Sequence, residues 1–368
     1  MNKNEQAIFN LVKENPYITQ LELAERIGLS RPAVANIISG LMRQRYILGK
    51  AYVINEESPI VCIGAANVDR KFYIDTPLQP KTSNPVFSSR SIGGVGRNIA
   101  ENLGRLGEKV TFLTASGNDS EWDMINRMSS PFMDLSAIQP IENASTGSYT
   151  AVIKDGDMEY GFADMEIYEQ ITPDFLARYA QILTKAKCLV ADLDLPKSAL
   201  EFLSAFAQKN HIKFVIVPVS SPKMVRMPQS LHAVDWLIIN RDESETYLNM
   251  SIRNISDMQR AAEKWVELGV SNVIITNGLE PLIFKNCHTE HIVPISPAQH
   301  FVDATGAGDS FTSAVIYSWL NDFSLQDIIK SGMVNSLKTV ETNYTVRQNL
   351  DNEQLKRDME EYNYEAIS

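Results

Sequence analysis

Three cysteines in 368 residues, Cys62, Cys188 and Cys287, stand far apart, with neither C-x-x-C spacing nor an even count. Their scarcity excludes a disulfide framework and leaves the reduced core thiols expected of a cytoplasmic protein. The five histidines are equally scattered, and "HTEH" at 288–291 reads as a polar turn rather than a metal pair. No apolar run approaches a membrane span and the opening MNKNEQAIF has no signal core, so the expected location is the cytoplasm, with no membrane partner. Neither G-x-x-x-x-G-K-[ST] nor the H-R-D and D-F-G signatures occur, which excludes a P-loop and a protein kinase. A basic excess is missing as well: a net charge of −11 argues against a molecule that coats nucleic acid over its whole surface.

That average conceals two parts. Residues 1–58 carry seven Lys/Arg against six Asp/Glu, so the acidic excess lies entirely in the remainder, and the parts are expected to meet different partners. In the first part, Ile8, Leu11 and Val12 share a helical face that "NP" at 15–16 ends. "TQLELAERI" opens with a capping-box pattern, Thr19 and Glu22. After "GLS" comes "RPAVANIISGLMRQ", with Ser30 as cap and Pro32 in the first turn. This spacing, with "YILGKAYVI" at 46–54 as a two-stranded wing, resembles the winged helix-turn-helix of bacterial regulators. In such a module the third helix enters the major groove, and Ser30, Arg31, Asn36, Arg43 and, on the wing, Lys50 would meet DNA. The alternative is a small helical bundle used for dimerisation or for packing on the larger domain; the near-neutral charge counts against strong phosphate binding.

"NEESP" at 55–59 reads as a linker, which sets domains at 1–57 and 58–368. Beyond it, apolar strand candidates at 60–68, 109–115, 187–193, 213–219, 235–240 and 272–276 alternate with helical patterns such as 98–106, 198–209 and 257–268. Continuously apolar strands between helices predict a three-layer α/β/α sandwich with a buried parallel sheet. Segments 70–92 and 146–164 mix polar and apolar residues at strand spacing and predict a small β lid, whose open edges would suit a homodimer.

Two glycine clusters stand out. "GGVGRNIAENLGRLG" at 93–107 is a glycine turn opening an amphipathic helix, and Asn98 where a dinucleotide fingerprint needs glycine weakens that reading. "DATGAGDSF" at 303–311 puts an acid directly after a loop of the kind that binds anions through its N–H groups. The acid there is either an ordinary helix N-terminal residue or a group with a chemical task beside a phosphate.

Taken in order, "GGVGRN", "NRDE" at 240–243 and "VDATGAGDSF" at 302–311 resemble the ribokinase-like (phosphofructokinase B) family of sugar and nucleoside kinases. The resemblance implies ATP and Mg2+, with Asp309 as general base and Gly306, Ala307 and Gly308 offering N–H groups to the transferring phosphoryl. It gives Asn67, Asp69, Gly94 and Asn98 to substrate hydroxyls, Asn240 and Glu243 to the nucleotide phosphates and to Mg2+ through water, and Thr276 and Gly278 to the nucleotide. Asp303 and Thr305 would hold a monovalent cation, usually potassium. Two positions depart from the pattern: Pro281 in the adenine-side loop, and Val217 where an acid is common.

"TSNP" at 82–85, "STGSYTAV" at 145–152 and "ADMEIYEQIT" at 163–172 resemble the pseudouridine kinase branch, as does Arg97 before the asparagine. That resemblance adds Arg97 and Asn84, with Ser148 or Asp164, to the substrate side, and implies phosphorylation of a nucleoside 5′-hydroxyl. The alternatives are a kinase for another nucleoside or sugar, and a DNA-binding regulator that uses a kinase-like domain as a ligand sensor.

Overall fold

A computed structural model gives the fold for residues 1–47, 58–155 and 157–362, and the chain divides into two units, Met1–Glu57 and Ser58–Ser368. In the first unit the helices are α1 (Lys3–Glu14), α2 (Gln20–Ile27) and α3 (Arg31–Arg43). Thr19 and Glu22 form the expected reciprocal capping box, and a second one, Asn2 with Glu5, opens α1. The Ser30 hydroxyl accepts the Ala33 N–H at 3.4 Å. Val34, Ile38 and Leu41, at one-turn and two-turn spacing, close a core with Ile8, Leu23 and Ala24. Ser30, Arg31, Asn36 and Arg43 are exposed; Lys50 and most of the wing at 46–54 lie outside the described residues.

In the second unit the strands are β1 (Ile60–Ile63), β2 (Asn67–Ile74), β3 (Phe87–Gly93), β4 (Val110–Leu113), β5 (Ala115–Ser116), β6 (Gln139–Pro140), β7 (Ser148–Lys154) and β8 (Asp157–Asp164). They continue with β9 (Cys188–Asp192), β10 (Lys213–Val217), β11 (Trp236–Asn240), β12 (Asn272–Asn277), β13 (Glu280–Asn286) and β14 (Glu290–Val293). The helices are α4 (Val95–Arg105), α5 (Ser120–Ser129), α6 (Pro173–Arg178), α7 (Ala180–Lys185), α8 (Lys197–Asn210), α9 (Arg241–Leu248), α10 (Ile255–Glu267), α11 (Ala307–Leu320), α12 (Leu325–Val340) and α13 (Asn352–Glu361).

The main sheet runs β14-β13-β12-β11-β10-β9-β1-β4, parallel from β12 to β4, with β13 and β14 added antiparallel. Successive strand residues feed two different cores, as the pleat requires. Val61, Leu189, Phe214, Leu237 and Val273 pack on one face, and Cys62, Val190, Val215, Ile238 and Ile274 on the other. Both faces are apolar because helices cover both, which is why these strands read as unbroken apolar runs. Cys62 and Cys188 are buried as expected, whereas Cys287 is exposed, because it follows β13 instead of lying within it.

The expected strand at 60–68 is two strands in different sheets. The ladder of β1 ends at Ile63, with the Gly64 N–H still donating to the Leu113 carbonyl at 3.3 Å, and the next N–H turns away from it: that of Ala65 donates to the Asp192 carboxylate at 2.8 Å. From Asn67 the chain belongs to the lid, a four-stranded sheet ordered β3-β2-β7-β8. The acceptor-side residues of β2 are therefore carried by the lid and not by the main sheet.

Candidate active site

A cavity of about 640 Å³ opens at the carboxyl ends of the parallel strands, where open α/β sheets bind ligands. Val217, Asn240 and Thr276, at or near the ends of β10, β11 and β12, form one wall, with Gly278 beyond. Ala307, Gly308 and Asp309 form another, and the remaining lining includes Leu279, Ile295, Phe301, Met333 and Tyr362. Val217 is buried, so an apolar side chain replaces the acid at that point of the wall.

The loop before α11 is shaped by two requirements. Asp303 Oδ1 accepts the Thr305 N–H at 2.9 Å and its hydroxyl at 2.6 Å, which curls the chain, and Gly306 then takes φ 84°. A side chain at Gly306 would be strained, and its Cβ would lie 2.1 Å from the Thr345 carbonyl oxygen. The three N–H groups assigned to phosphoryl binding are not equivalent. That of Ala307 donates to the Ala304 carbonyl at 3.1 Å, whereas Gly308, in the first turn, has no helical acceptor four residues back.

Asp309 sits in the same first turn, half-buried, and its Oδ2 accepts the Asn98 side-chain amide at 2.8 Å. Burial pushes its carboxyl up to about 6, against the opposing pull of the Asn98 bond and the Arg97 charge. A carboxylate in that range is ionised at neutral pH yet basic enough to take a proton from a bound hydroxyl.

Asn98 is delivered by α4, whose first residue follows Gly94 at φ 99°, where a Cβ would lie 2.3 Å from the Ala65 carbonyl oxygen. Sequence reading missed the residue that anchors this turn. Asp192 accepts the N–H groups of Ala65 at 2.8 Å, Gly96 at 2.9 Å and Asp194 at 3.0 Å, tying β9 to the turn after β1 and to the start of α4.

Arg97, expected on the substrate side, is instead 2% exposed behind Asn98. Its guanidinium donates to Asn98 Oδ1 at 2.6 Å and to Ser129 Oγ at 3.2 Å, and pairs with Glu101, which also holds Arg105 at 2.8 Å. The physical reason is the packing of α4, buried continuously from Gly96 to Leu103. Arg97 orients the asparagine amide so that its N–H face meets Asp309.

On the lid, Asn67 donates to Asp69 Oδ1 at 2.6 Å. Burial raises the Asp69 carboxyl to about 6, against Lys71 and the Asn67 bond, and the charges of Asp69 and Asp309 act on each other. Asp69 is opposite Ser91 on β3 and Tyr149 on β7, and so shares a face with Tyr149 and, two residues on, Lys71. Ser148 is opposite Val68 and Asp164 is opposite Ser148, which puts both on the other face, away from Asp69. The period-two pattern of β2 and β7 contains this result once the register is known. Asn84 is also absent from the group: its side chain bonds Gln79 N, Gln79 O and Thr82 O within its own loop.

Asn240 and Glu243 form a capping box at the start of α9, with bonds of 2.8 and 3.0 Å. The motif thus has a local structural task, which uses one Glu243 oxygen and leaves the other. Burial holds the Glu243 carboxyl above its ordinary range.

A pfkB family carbohydrate kinase model matches residues 58–349. The chain belongs to the pfkB family. A winged helix-turn-helix DNA-binding model matches residues 1–47, so this kinase-family unit follows a helix-turn-helix domain. The chain is 30% identical over 329 residues to YeiI, an uncharacterised sugar kinase of Escherichia coli K12, covering 89% of this chain and 90% of that one. It is 27% identical to the pseudouridine kinase of the same organism, over 79% of this chain and 93% of the relative. A ribokinase of Arabidopsis thaliana, solved with ribose and ATP, superposes with a TM-score of 0.73 at 18% identity, over 82% of this chain and 99% of that one. As a pfkB-family protein the chain is a phosphotransferase with an alcohol group as acceptor, a kinase for sugars or nucleosides. Among the described residues no helix is long and apolar enough to cross a membrane.

Proposed function

We propose that the second unit, 58–368, transfers the γ-phosphate of ATP to the 5′-hydroxyl of pseudouridine, giving pseudouridine 5′-phosphate. The observation that carries the reaction is Asp309 at the head of the cavity, held by Asn98 beside the Gly306–Gly308 turn. Asp309 accepts the proton of the attacking hydroxyl. That oxygen bonds to phosphorus as the bond to the nucleoside diphosphate breaks, and the N–H groups of Gly306 and Gly308 meet the phosphoryl oxygens. Asn67, Asp69, Gly94 and Asn98 receive the sugar hydroxyls. The donor nucleotide lies along Thr276 and Gly278.

Glu243 fits a magnesium partner. It lines the cavity, is 5% exposed, and keeps one carboxylate oxygen beyond the capping bond, which suits an ion that retains most of its waters. With Asn240 it would hold the ion through water, and the ion supplies neutralisation of phosphate charge.

The substrate assignment is supported by the likeness of the lid motifs and by the similarity to a pseudouridine kinase. Its test is turnover of purified protein on a panel of nucleosides and pentoses. Pseudouridine is expected to give the highest kcat/KM, and a tenfold preference for another acceptor would replace it in the assignment.

A second reading is favoured by the exposed Arg31, Asn36 and Arg43 on α3: the first unit, 1–57, binds DNA and reports the state of the kinase unit. Gel-shift titration on upstream DNA is expected to show binding that weakens with salt and changes with pseudouridine. A wild-type protein that binds nucleoside and DNA but turns nothing over would make it a sensor. We further propose a cytoplasmic homodimer, joined through the open lid edges β3 and β8.

A further inference from the structure

The resemblance implies a monovalent cation at Asp303 and Thr305, and the donors present do not fit one. Asp303 Oδ1 is occupied by the Thr305 N–H and hydroxyl, at 2.9 and 2.6 Å. Asp303 Oδ2 faces the Lys71 ammonium at 3.0 Å. A backbone oxygen that could serve an ion beside this loop, Val340 O, accepts the N–H groups of Val302 at 2.8 Å and Asp303 at 3.3 Å. A cation brought to Asp303 would meet a like charge already in place.

We propose that the Lys71 ammonium is the built-in cation of the phosphoryl loop, so that this kinase works without potassium. Lys71 is fixed for the task. It lies within β2, paired with Ser89 on one side and Ala151 on the other, and the strand ladders hold its backbone. Asp303 is anionic there: partial burial pushes its carboxyl up, but the Thr305 bonds and Lys71 bring it below the ordinary carboxylate range. A loop that presents N–H groups to phosphate while carrying an acid needs a compensating positive charge, and the lid supplies one covalently. The same strand carries Asp69 on the same face, so the acceptor residue and the charge that completes the donor loop move as one body. The inference rests on the reading that phosphate sits at residues 306–308.

The test compares potassium with tetramethylammonium, which is too large for such a site, at constant ionic strength. Affinity for Mg-ATP, measured calorimetrically without acceptor, keeps the result independent of the substrate assignment. For the wild type, Kd for Mg-ATP and the turnover rate are expected to agree within twofold in the two salts. For Lys71→Met, Kd in tetramethylammonium is expected to rise at least fivefold and to recover in potassium, while Lys71→Arg resembles the wild type in both. Thermal melting of each variant identifies one that has failed to fold, in which case the wild-type salt comparison and Lys71→Arg decide. A tenfold gain in wild-type affinity or rate with potassium would overturn the proposal. So would a folded Lys71→Met protein that binds Mg-ATP normally in tetramethylammonium.

Discussion

The acceptor and donor sides of Asp309 are built differently. On the acceptor side, polar groups are cross-linked before any ligand arrives: Asn67 to Asp69, Asn98 to Asp309, Arg97 to Asn98 and Glu101. On the donor side the wall is mostly apolar, with Leu279, Ile295, Phe301 and Met333 around the few polar groups of Asn240, Glu243 and Thr276. A preset polar network fixes the direction of attack, because each member's geometry is determined by its neighbours. An apolar wall contributes affinity with little demand on orientation. Damage on the acceptor side should therefore appear in kcat, and damage on the donor side in the KM for ATP.

The largest expected effect is that of Asp309→Asn. Loss of the general base should lower kcat by about 10²–10⁴-fold while nucleoside binding persists. The same substitution should stabilise the protein. Because the folded carboxyl lies near 6, above its ordinary 3.8, its contribution to stability is fully present below about pH 4 and is lost as pH rises through 6. Removing an ionisation that burial opposes should raise Tm by about 1–4 °C at pH 8. A variant with unchanged kcat would remove Asp309 from the chemistry, and one that melts lower at pH 8 would refute the cost of ionising it in place.

Arg97→Met comes next. It leaves the Asn98 amide without its positioning donor and Glu101 with Arg105 alone, and breaking a buried pair costs about 3 kcal/mol or more. Chemical denaturation should show that loss, and surviving folded enzyme should have a lower kcat at nearly unchanged KM for ATP. Equal damage to both parameters would blur the contrast between the two sides.

The pH dependence is a gentler probe. With Asp69 and Asp309 both raised to about 6 and both needed as carboxylates, kcat/KM should climb from pH 5, stand at about a quarter of its plateau at pH 6, pass half a little above it, and level off above 7. A plateau that already begins below pH 5 would mean that neither carboxyl must be ionised. The smallest effect is expected from Leu279→Ala, which trims the exposed apolar wall and should raise the KM for ATP about two- to fivefold with kcat unchanged.

Much of the architecture was legible because it is written in local patterns. Unbroken apolar runs mark the buried parallel strands, and Thr19–Glu22 announces its capping box within four residues. The turn at 303–306 was legible for the same reason, since Asp303 and Thr305 bond within it and Gly306 takes the positive φ that opens α11. Features that depend on distant partners were not legible. Nothing near Arg97 says that Ser129 and a buried α4 will enclose it, and nothing near Lys71 points to Asp303, 232 positions away. Asn84 bonds its own loop, and its sequence does not reveal this because an asparagine in a turn satisfies its own backbone as readily as a ligand. Val68 and Asp69 face opposite sides of the lid by the pleat alone, but that Ser148 joins Val68 and Tyr149 joins Asp69 is something only the register supplies.

Asp192 joins segments near positions 65, 96 and 192 through a single carboxylate, at the foot of the helix that carries Asn98. The amides of Ala65 and Gly96 therefore cannot open to solvent one at a time. Their hydrogen exchange should proceed with that of the central strands β1 and β9, at the slow rate of global unfolding, with or without ligand. The acceptor-side helix thereby belongs to the most persistent part of the molecule.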